Sequence, residues 1–437
     1  MSNLTEKNLS EIASDAKAAA LVLSRLNTET KNRVLQGMAT QIENHCDAIL
    51  EANRQDLEFA KKEKIPGPLV ARLAVDETKV MGMAKGIRSV AELPDPVGQQ
   101  QEAMELDEGL QLTRVSCPIG VIGAIFESRP DAVPQISALC FKSGNAVILK
   151  GGAEAQNSNR VIVGLIQKAL SEVEGVPVEA VQLIETRAEV AEMLKQDQYI
   201  NLIVPRGSNQ FVRYVQDNTR IPVLGHSEGL CHVYIDEEAD VEKAIRVTLD
   251  SKLQYAAACN AMETLLIHQA IASKILPSLV KQFREQEVEL VGCLKSCSLV
   301  PDLKKAESDD WDTEYNDLKL SIKIVEDLSQ AIAHINAHGS GHTDTIVTVN
   351  RGQAERFLNE VDSASVMVNA STRFADGFRF GLGAEIGIST NKTHARGPVG
   401  LEGLVIYKYQ LVGNGQIVAD YSGKDGKSFT HKPLNKK

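Results

Sequence analysis

From residue 121 onward, short apolar segments alternate with stretches in which apolar residues recur every three or four positions. The first such segments are VIGAI at 121–125, AVILKGG at 146–152, AVQLIE at 180–185 and LIVPRG at 202–207. Near-continuous apolar strands of this length are typical of a parallel sheet that helices cover on both faces. Strands that alternate with helices in this way predict a doubly wound α/β domain.

A second run of the same kind predicts a second α/β domain. It begins with LLIHQ at 265–269 and includes TDTIVTVN at 343–350 and SVMVNAS at 365–371. Before the first run, residues 9–63 carry the spacing of amphipathic helices, and Thr28 is a candidate N-cap between two of them.

Two segments outside these runs, 105–118 and 404–420, alternate apolar and polar residues, which is typical of strands with one exposed face. Gly-Asn-Gly at 413–415 predicts that the second segment folds back as a hairpin. Such strands would expose an unpaired edge unless another chain covered it. We therefore expect a symmetric homo-oligomer, either a dimer or a tetramer.

Composition excludes several classes of protein. The net charge is −11 without any basic run, which argues against a nucleic-acid partner. No apolar stretch reaches the roughly 18 residues of a membrane span, and the acidic N-terminal region is unlike a secretory signal. The seven cysteines form no CxxC pair or Cys/His ligand spacing, so we expect neither a disulfide framework nor a metal site. These features predict a cytoplasmic protein.

Cys259 is the candidate nucleophile because small residues surround it in SKLQYAAACNAMETLLIH. Small neighbours let a substrate carbonyl and backbone amides approach a sulfur closely, as acyl transfer requires. A buried structural cysteine among alanines would give the same local pattern. The sequence around Cys259 therefore leaves both alternatives open.

Two glycine-containing turns follow predicted strands and are candidates for phosphate or ribose binding. KGGAEA at 150–155 offers Lys150 and backbone amides, and PRGSNQF at 205–211 leads into a helix N-terminus. Neither is a P-loop or a GxGxxG motif, and tight or capped turns explain both equally well.

HINAHGSGHTDTI at 334–346 contains three histidines, but HExxH is missing and the glycines end the helix before His342. We expect a loop in which histidine, serine and Asp344 form hydrogen bonds. ESRP at 127–130 and THARGP at 393–398 are turns whose arginines suit a carboxylate or phosphate.

The order of these motifs resembles the aldehyde dehydrogenase superfamily, and within it the γ-glutamyl phosphate reductase (glutamate-5-semialdehyde dehydrogenase) family. That family's signature runs without departure from Val325 to Ile346 as VEDLSQAIAHINAHGSGHTDTI. Further matching segments are PIGVIGAIFESRPDAV, ILKGGAEA, LIVPRGSNQFVRYV, GHSEGLCHVYID, NASTRFADG, EIGISTNKTHARGPVGLEGL and FTHKP. The resemblance covers nearly the whole chain.

The resemblance implies an aldehyde dehydrogenase-like α/β fold, with two doubly wound α/β domains plus a β-hairpin oligomerisation arm. On this basis we expect residues 1–104 and 119–229 to form the cofactor-binding domain, and residues 230–390 to form the catalytic domain. The oligomerisation strands are then 105–118 and 404–420.

Carried over by position, the resemblance makes Cys259 the catalytic nucleophile. Lys150 and Glu154 match residues that hold the adenosine ribose, and Gly207 and Ser208 match the turn that approaches the nicotinamide. The implied cofactor is NADPH/NADP.

One departure from aldehyde-oxidising relatives is informative. They carry a glutamate base within Glu-Leu-Gly-Gly, where this chain has Gly-His-Ser-Glu at 225–228, so we expect no base that hydrolyses a thioester. For the oxyanion hole, the candidates are the Cys259 N–H and Arg129, which stands near the position of an asparagine in relatives. By residue type, Arg129, Arg206 and Arg396 are candidate ligands of the substrate's phosphate or carboxylate.

The implied reaction is the NADPH-dependent reduction of L-glutamyl 5-phosphate to L-glutamate 5-semialdehyde and phosphate through a cysteine thioester, in proline biosynthesis. Two alternatives stay open, an NAD-dependent oxidation of a free aldehyde and an inactive binding scaffold. The missing Glu-Leu-Gly-Gly argues against the first, and retention of Cys259 and the signature argues against the second. Whether a glutamate 5-kinase docks to deliver the acyl phosphate is not decided by the sequence.

Overall fold

The computed structural model describes residues 7–226 and 228–434. In this part of the chain the helices are α1 Leu9–Leu23, α2 Thr28–Asn44, α3 Cys46–Lys62, α4 Gly67–Leu73, α5 Glu77–Glu92, α6 Ala132–Lys142, α7 Gln156–Ser171, α8 Arg187–Met193, α9 Asn209–Asp217, α10 Val241–Leu253, α11 Gln269–Glu285, α12 Leu294–Leu299, α13 Leu328–His338 and α14 Arg351–Glu360. The strands are β1 Gln100–Asp107, β2 Leu110–Pro118, β3 Val121–Phe126, β4 Ala146–Lys150, β5 Val181–Ile184, β6 Leu202–Arg206, β7 Cys231–Ile235, β8 Met262–His268, β9 Glu289–Gly292, β10 Lys304–Lys305, β11 Lys319–Val325, β12 Thr343–Val347, β13 Ser365–Val368, β14 Gly387–Ser389, β15 Gly397–Val399, β16 Val405–Val412 and β17 Lys432–Pro433.

The first parallel sheet has the strand order β5-β4-β3-β6. Every residue of β3 and β4 is buried, because helices lie on both faces of this sheet. The right-handed crossovers place α6 and α7 on one face, and α8 with α1 on the other. A large apolar core joins the sheet to the N-terminal helices. The predicted doubly wound domain is therefore confirmed.

The second parallel sheet has the order β10-β9-β11-β8-β7-β12-β13. One of its apolar cores packs α11 against the strands, and another packs α13 and α14. All residues of β7 and β8 are buried between these layers. The prediction of a second α/β unit is confirmed. The strand order reverses direction at β8 and β7, next to the loop that carries Cys259.

A separate antiparallel sheet has the order β16-β2-β1-β17. The strand character predicted at 105–118 is confirmed, since this segment forms the end of β1 and all of β2, which pair as an antiparallel hairpin. The hairpin predicted for residues 404–420 was wrong. Within that segment only β16 is a strand, and Val418–Tyr421 forms a 3₁₀ helix. After Gly-Asn-Gly, the Gln416 side chain binds the carbonyl of Glu108, and this contact directs the chain onto the β1–β2 turn.

The predicted cap at Thr28 was also wrong. Asn27 caps α2 by accepting the N–H of Thr30, while the Thr28 hydroxyl donates to Asp95. All seven cysteines are free thiols. Within the described residues, no helix combines the length and apolarity that crossing a bilayer would demand.

Candidate active site

Cys259 lies in the turn between α10 and β8, and its side chain is partly buried. The turn is closed by two backbone hydrogen bonds, from Ala258 N–H to the Tyr255 carbonyl at 3.2 Å and from Ala261 N–H to the Ala258 carbonyl at 2.8 Å. The next residue, Asn260, is buried and donates through Nδ2 to the carbonyl of Ala375 at 2.9 Å. These bonds fix the backbone around Cys259.

The segment that enters β7 packs directly on the backbone of Cys259. A Cβ on Gly229 would lie 2.8 Å from Cys259 Cα and would overlap its carbonyl oxygen, so only glycine fits there. The Cys231 thiol donates to the Cys259 carbonyl at 3.3 Å. Burial raises the pKa of Cys231 well above its usual range, so it stays a neutral thiol. Cys231 therefore supports the position of Cys259 and is no competing nucleophile.

Two histidines stand beside Cys259. A ring nitrogen of His226, a ring nitrogen of His342 and the sulfur of Cys259 all lie within 4.8 Å of one another. The two rings meet edge to face, with centroids 4.9 Å apart. His226 Nδ1 donates to the carbonyl of Ile388 at 2.9 Å, which leaves its Nε2 as a proton acceptor in the neutral ring.

Neither histidine was predicted as a site residue. In the sequence His226 marks only the place of a missing glutamate, and Ser227 beside it lies outside the described residues. His342 is separated from Cys259 by several elements, and only the family signature singles it out. The expectation that residues 225–228 hold no thioester-hydrolysing base stays a prediction, and the imidazole of His226 in that segment lies close to Cys259.

Two residues of the signature segment 325–346 form hydrogen bonds to the start of β7. Asp344 accepts both the backbone N–H and the ring Nδ1–H of His232 at 2.8 Å, and Ser340 Oγ accepts the N–H of Leu230 at 2.8 Å. These bonds hold the start of β7 against the Cys259 turn. The prediction of a loop in which histidine, serine and Asp344 bond with one another was wrong, because Ser340 and Asp344 bond instead to Leu230 and His232 of the segment at β7. The helix α13 ends at His338, as the glycines predicted.

Charged groups lie near Cys259. Burial lowers the pKa of Arg206, and the positive charge of Arg129 lowers it further, while Glu385 and a Cys259 thiolate act in the opposite direction. Burial likewise lowers the pKa of Arg373, on which the Cys259 charge also acts. Guanidinium groups stay protonated at neutral pH despite such shifts. Fixed positive charge therefore lies near Cys259.

Arg129, whose charge acts on Arg206, also lines a cavity of about 640 Å³. Its charged lining residues are of both signs, namely Arg72, Lys79, Arg129, Asp131, Asp376 and Glu385. Burial raises the pKa of Glu385, whose carboxylate accepts the N–H of Gly377 at 2.8 Å. A cavity with both signs of charge suits a small zwitterionic ligand.

Of the three candidate arginines, Arg129 follows β3 and lines this cavity, and Arg206 ends β6 and interacts with the charge of Arg129. The third, Arg396, is engaged elsewhere. Its guanidinium donates to the side chain of Asp362 at 3.1 Å and to the Asp362 carbonyl at 3.0 Å. The structure thus brings two of the three arginines together and ties the third to a carboxylate.

The carboxyl ends of β3, β4 and β6 form the edge where a dinucleotide is expected. Lys150 ends β4, and its ammonium donates to the carbonyl of Gly151 at 2.7 Å. Glu154 reaches across to β3, where it accepts the backbone N–H of Ser128 at 2.7 Å and the Ser128 hydroxyl at 2.6 Å. Ser128 has a positive φ of 44°, so Glu154 holds a strained turn.

Gly207 and Ser208 form the exposed turn after β6. A Cβ on Gly207 would lie 3.0 Å from the ring of Phe211 and 3.2 Å from the carboxyl of Glu127, so the glycine keeps this turn open. Ser208 caps α9, since its hydroxyl accepts the N–H of Phe211 at 3.4 Å. An exposed glycine turn before a capped helix N-terminus fits a nucleotide cofactor.

The chain is similar to known proteins of the aldehyde dehydrogenase family. The sequence model of the Aldehyde dehydrogenase family matches residues 1–291. The γ-glutamyl phosphate reductases of Pelotomaculum thermopropionicum and Acetivibrio thermocellus are each 54% identical over 429 residues, which are 98% of this chain and 98% and 99% of those proteins. The crystal structure of γ-glutamyl phosphate reductase from Thermotoga maritima superposes with a TM-score of 0.92 at 42% identity, covering 94% of this chain and all of that one.

Proposed function

Because the chain belongs to the aldehyde dehydrogenase family and, within it, to the γ-glutamyl phosphate reductases, we propose that it reduces L-glutamyl 5-phosphate to L-glutamate 5-semialdehyde and phosphate with NADPH. This is a step of proline biosynthesis and belongs in the cytoplasm. The observation that carries the proposal is Cys259 in a fixed turn, with two imidazoles within 4.8 Å and with Arg206 near enough to interact with its charge.

In the proposed reaction, the thiolate of Cys259 attacks the γ-carbonyl carbon of the acyl phosphate. The carbon–oxygen bond to phosphate breaks, and phosphate leaves with the bonding electrons. His226 takes the thiol proton, since its Nε2 is left free by the Nδ1 bond to Ile388. After reduction of the thioester, the carbonyl re-forms, the carbon–sulfur bond breaks and the semialdehyde is released with Cys259 again a thiolate.

The cofactor would bind at the edge formed by β3, β4 and β6. Lys150 and Glu154 would hold the adenosine ribose, and Gly207 and Ser208 would flank the nicotinamide. When bound there, the reduced dinucleotide supplies the hydride for the Cys259 thioester. The open turn at Gly207 supports this assignment, since a side chain there would crowd Phe211 and Glu127.

The substrate would enter through the cavity that Arg129 and Glu385 line. Arg129 and Arg206 would bind its phosphate or carboxylate, and the acidic residues of the cavity suit its α-ammonium group. Arg396 is the weakest of the three candidate ligands, because Asp362 occupies its guanidinium. Any docking of a glutamate 5-kinase would have to leave this entrance accessible.

The test uses the oxidative direction, with glutamate semialdehyde and NADP⁺. Turnover should depend on phosphate, because phosphate and not water must release the acyl group from Cys259. Dinucleotide reduction and free glutamate are measured with and without phosphate. The test is demanding, since His226 is a base beside the thioester. Full-rate glutamate formation in phosphate-free buffer would contradict the proposal, because the enzyme would then be a hydrolytic aldehyde dehydrogenase.

The assembly follows from the edge strand β16. Tyr409, Leu411 and Val412 are 58–68% exposed on this strand, which has β2 on one side only. A long apolar edge of this kind calls for a partner strand, so the protein is a homodimer or a dimer of dimers.

Sedimentation at micromolar concentration should give at least twice the 47.5 kDa chain mass. Replacing Tyr409 and Leu411 by lysine should shift the protein toward monomer, because it adds charge to the unpaired edge. Val349→Lys, at an equally exposed valine away from this sheet, is the matched control. Wild-type protein that sediments as a single monomer would rule out this assembly.

A further inference from the structure

The cluster of His226, Cys259 and His342 also has the composition of a metal site. We propose that these three side chains bind one Zn²⁺ ion, which blocks the thiol and inhibits the enzyme. Two imidazoles and one thiolate are ligands that zinc prefers. Three protein ligands leave a fourth position for water, as in open zinc sites. The inhibition rests on the proposed function, whereas metal binding is measured without substrate and can fail or succeed independently of it.

The hydrogen bonds of the two histidines support this assignment. His226 Nδ1 donates to the Ile388 carbonyl, and His342 Nδ1 lies 2.8 Å from the Thr343 hydroxyl. Histidines that bind metals characteristically use one ring nitrogen for such an outer contact and the other for the metal. His342 is fully buried, and its Nε2 has no hydrogen-bond partner among the described residues. A buried polar atom left without a partner is costly unless a ligand satisfies it.

The spacing of the cluster is close to what zinc requires. The three candidate ligand atoms lie within 4.8 Å of one another. Zinc bonds of about 2.0–2.3 Å in tetrahedral geometry separate the ligand atoms by about 3.3–3.7 Å. The cluster must therefore contract by at most about 1.5 Å. Rotation of the Cys259 side chain, which is only partly buried, provides part of this movement.

Nearby charges limit the strength of binding. Arg206 and Arg373 both interact with the charge of Cys259, and they oppose a cation there. The carboxylate of Glu385, which acts on Arg206 and His226, offsets part of this repulsion. We expect half-inhibition at micromolar free Zn²⁺ and no inhibition by Mg²⁺, which prefers oxygen ligands.

Cobalt(II) is the spectroscopic probe for this site. The anaerobic, reduced enzyme is titrated with Co²⁺, and the thiolate-to-cobalt charge-transfer band is recorded in the near ultraviolet. The band should saturate at one equivalent and disappear on addition of Zn²⁺. Cys259→Ser should abolish the band. His342→Asn keeps an amide near Thr343 but removes the free ring nitrogen, and it should weaken Co²⁺ binding at least about tenfold.

His338→Asn is the matched control. His338 belongs to the same signature segment, but it pairs with Asp312 at 2.8 Å, and its Co²⁺ affinity and Zn²⁺ inhibition should equal those of the wild type. Circular dichroism checks that each variant is folded. Protection of Cys259 from iodoacetamide by Zn²⁺ gives a second readout that needs no activity. A charge-transfer band that survives Cys259→Ser, or an unchanged affinity in folded His342→Asn, would overturn the proposal.

Discussion

The two parallel sheets bring residues to the cleft in different ways. On the first sheet, Lys150 is the last residue of β4, and Gly207 and Ser208 follow β6 directly. Near the second, Cys259 precedes β8 and meets His342, which precedes β12, and His226, which lies in the segment that joins the two sheets. Lys150, Gly207 and Ser208 thus come from local turns, whereas the nucleophile side depends on long-range packing. A change on the nucleophile side should therefore reduce the chemical step, and a change on the cofactor side should mainly weaken binding.

The largest effect is expected from Cys259→Ser. Its kcat should fall by at least about 10³, because a hydroxyl is a poor nucleophile at neutral pH. The dissociation constant of NADPH should not change, because the cofactor edge is untouched. Cys46→Ser, at a partly buried cysteine that begins α3, is the control and should keep full kcat. Activity retained in Cys259→Ser but lost in Cys231→Ser would move the nucleophile to Cys231.

The second prediction tests whether packing positions the nucleophile. Gly229→Ala should lower kcat by about 10², because the added methyl group must displace the Cys259 backbone by roughly 1 Å. Gly164→Ala on α7 is the matched control, since nothing lies within 4 Å of its Cβ position. That control should keep its kcat and gain roughly 0.5–1 kcal/mol in free energy of unfolding. Equal kcat in both variants would show that the Gly229 contact does not position Cys259.

The same difference explains what could be predicted from the sequence. Strand positions and the turns after them follow from apolar runs that end in glycine, and the structure confirms both parallel sheets on that basis. The order of the strands does not follow from such runs. Nor does the meeting of His226 with Cys259, which arises only when β7 and β8 lie side by side.

Two local errors have local causes. The C-terminal hairpin failed because one side chain, Gln416, binds the neighbouring Glu108 turn and diverts the returning chain. The cap of α2 was misplaced by one residue, because Asn27 and Thr28 are both good capping residues and only the geometry distinguishes them. The role of Glu154 is also beyond sequence patterns, since its partner Ser128 belongs to another strand's turn.

The smallest effect is expected at Ser208, where local structure and cofactor binding coincide. Ser208→Ala should cost about 1 kcal/mol of unfolding free energy, because the N-cap of α9 loses its bond to Phe211, whereas Ser208→Asn should retain the cap. Both variants lack the hydroxyl, so both should raise the KM for NADPH about three- to tenfold if it contacts the cofactor, as we expect. Urea denaturation and steady-state kinetics measure the two effects separately. An unchanged KM in both variants would make Ser208 a cap alone and would leave cofactor binding in this turn to the backbone at Gly207.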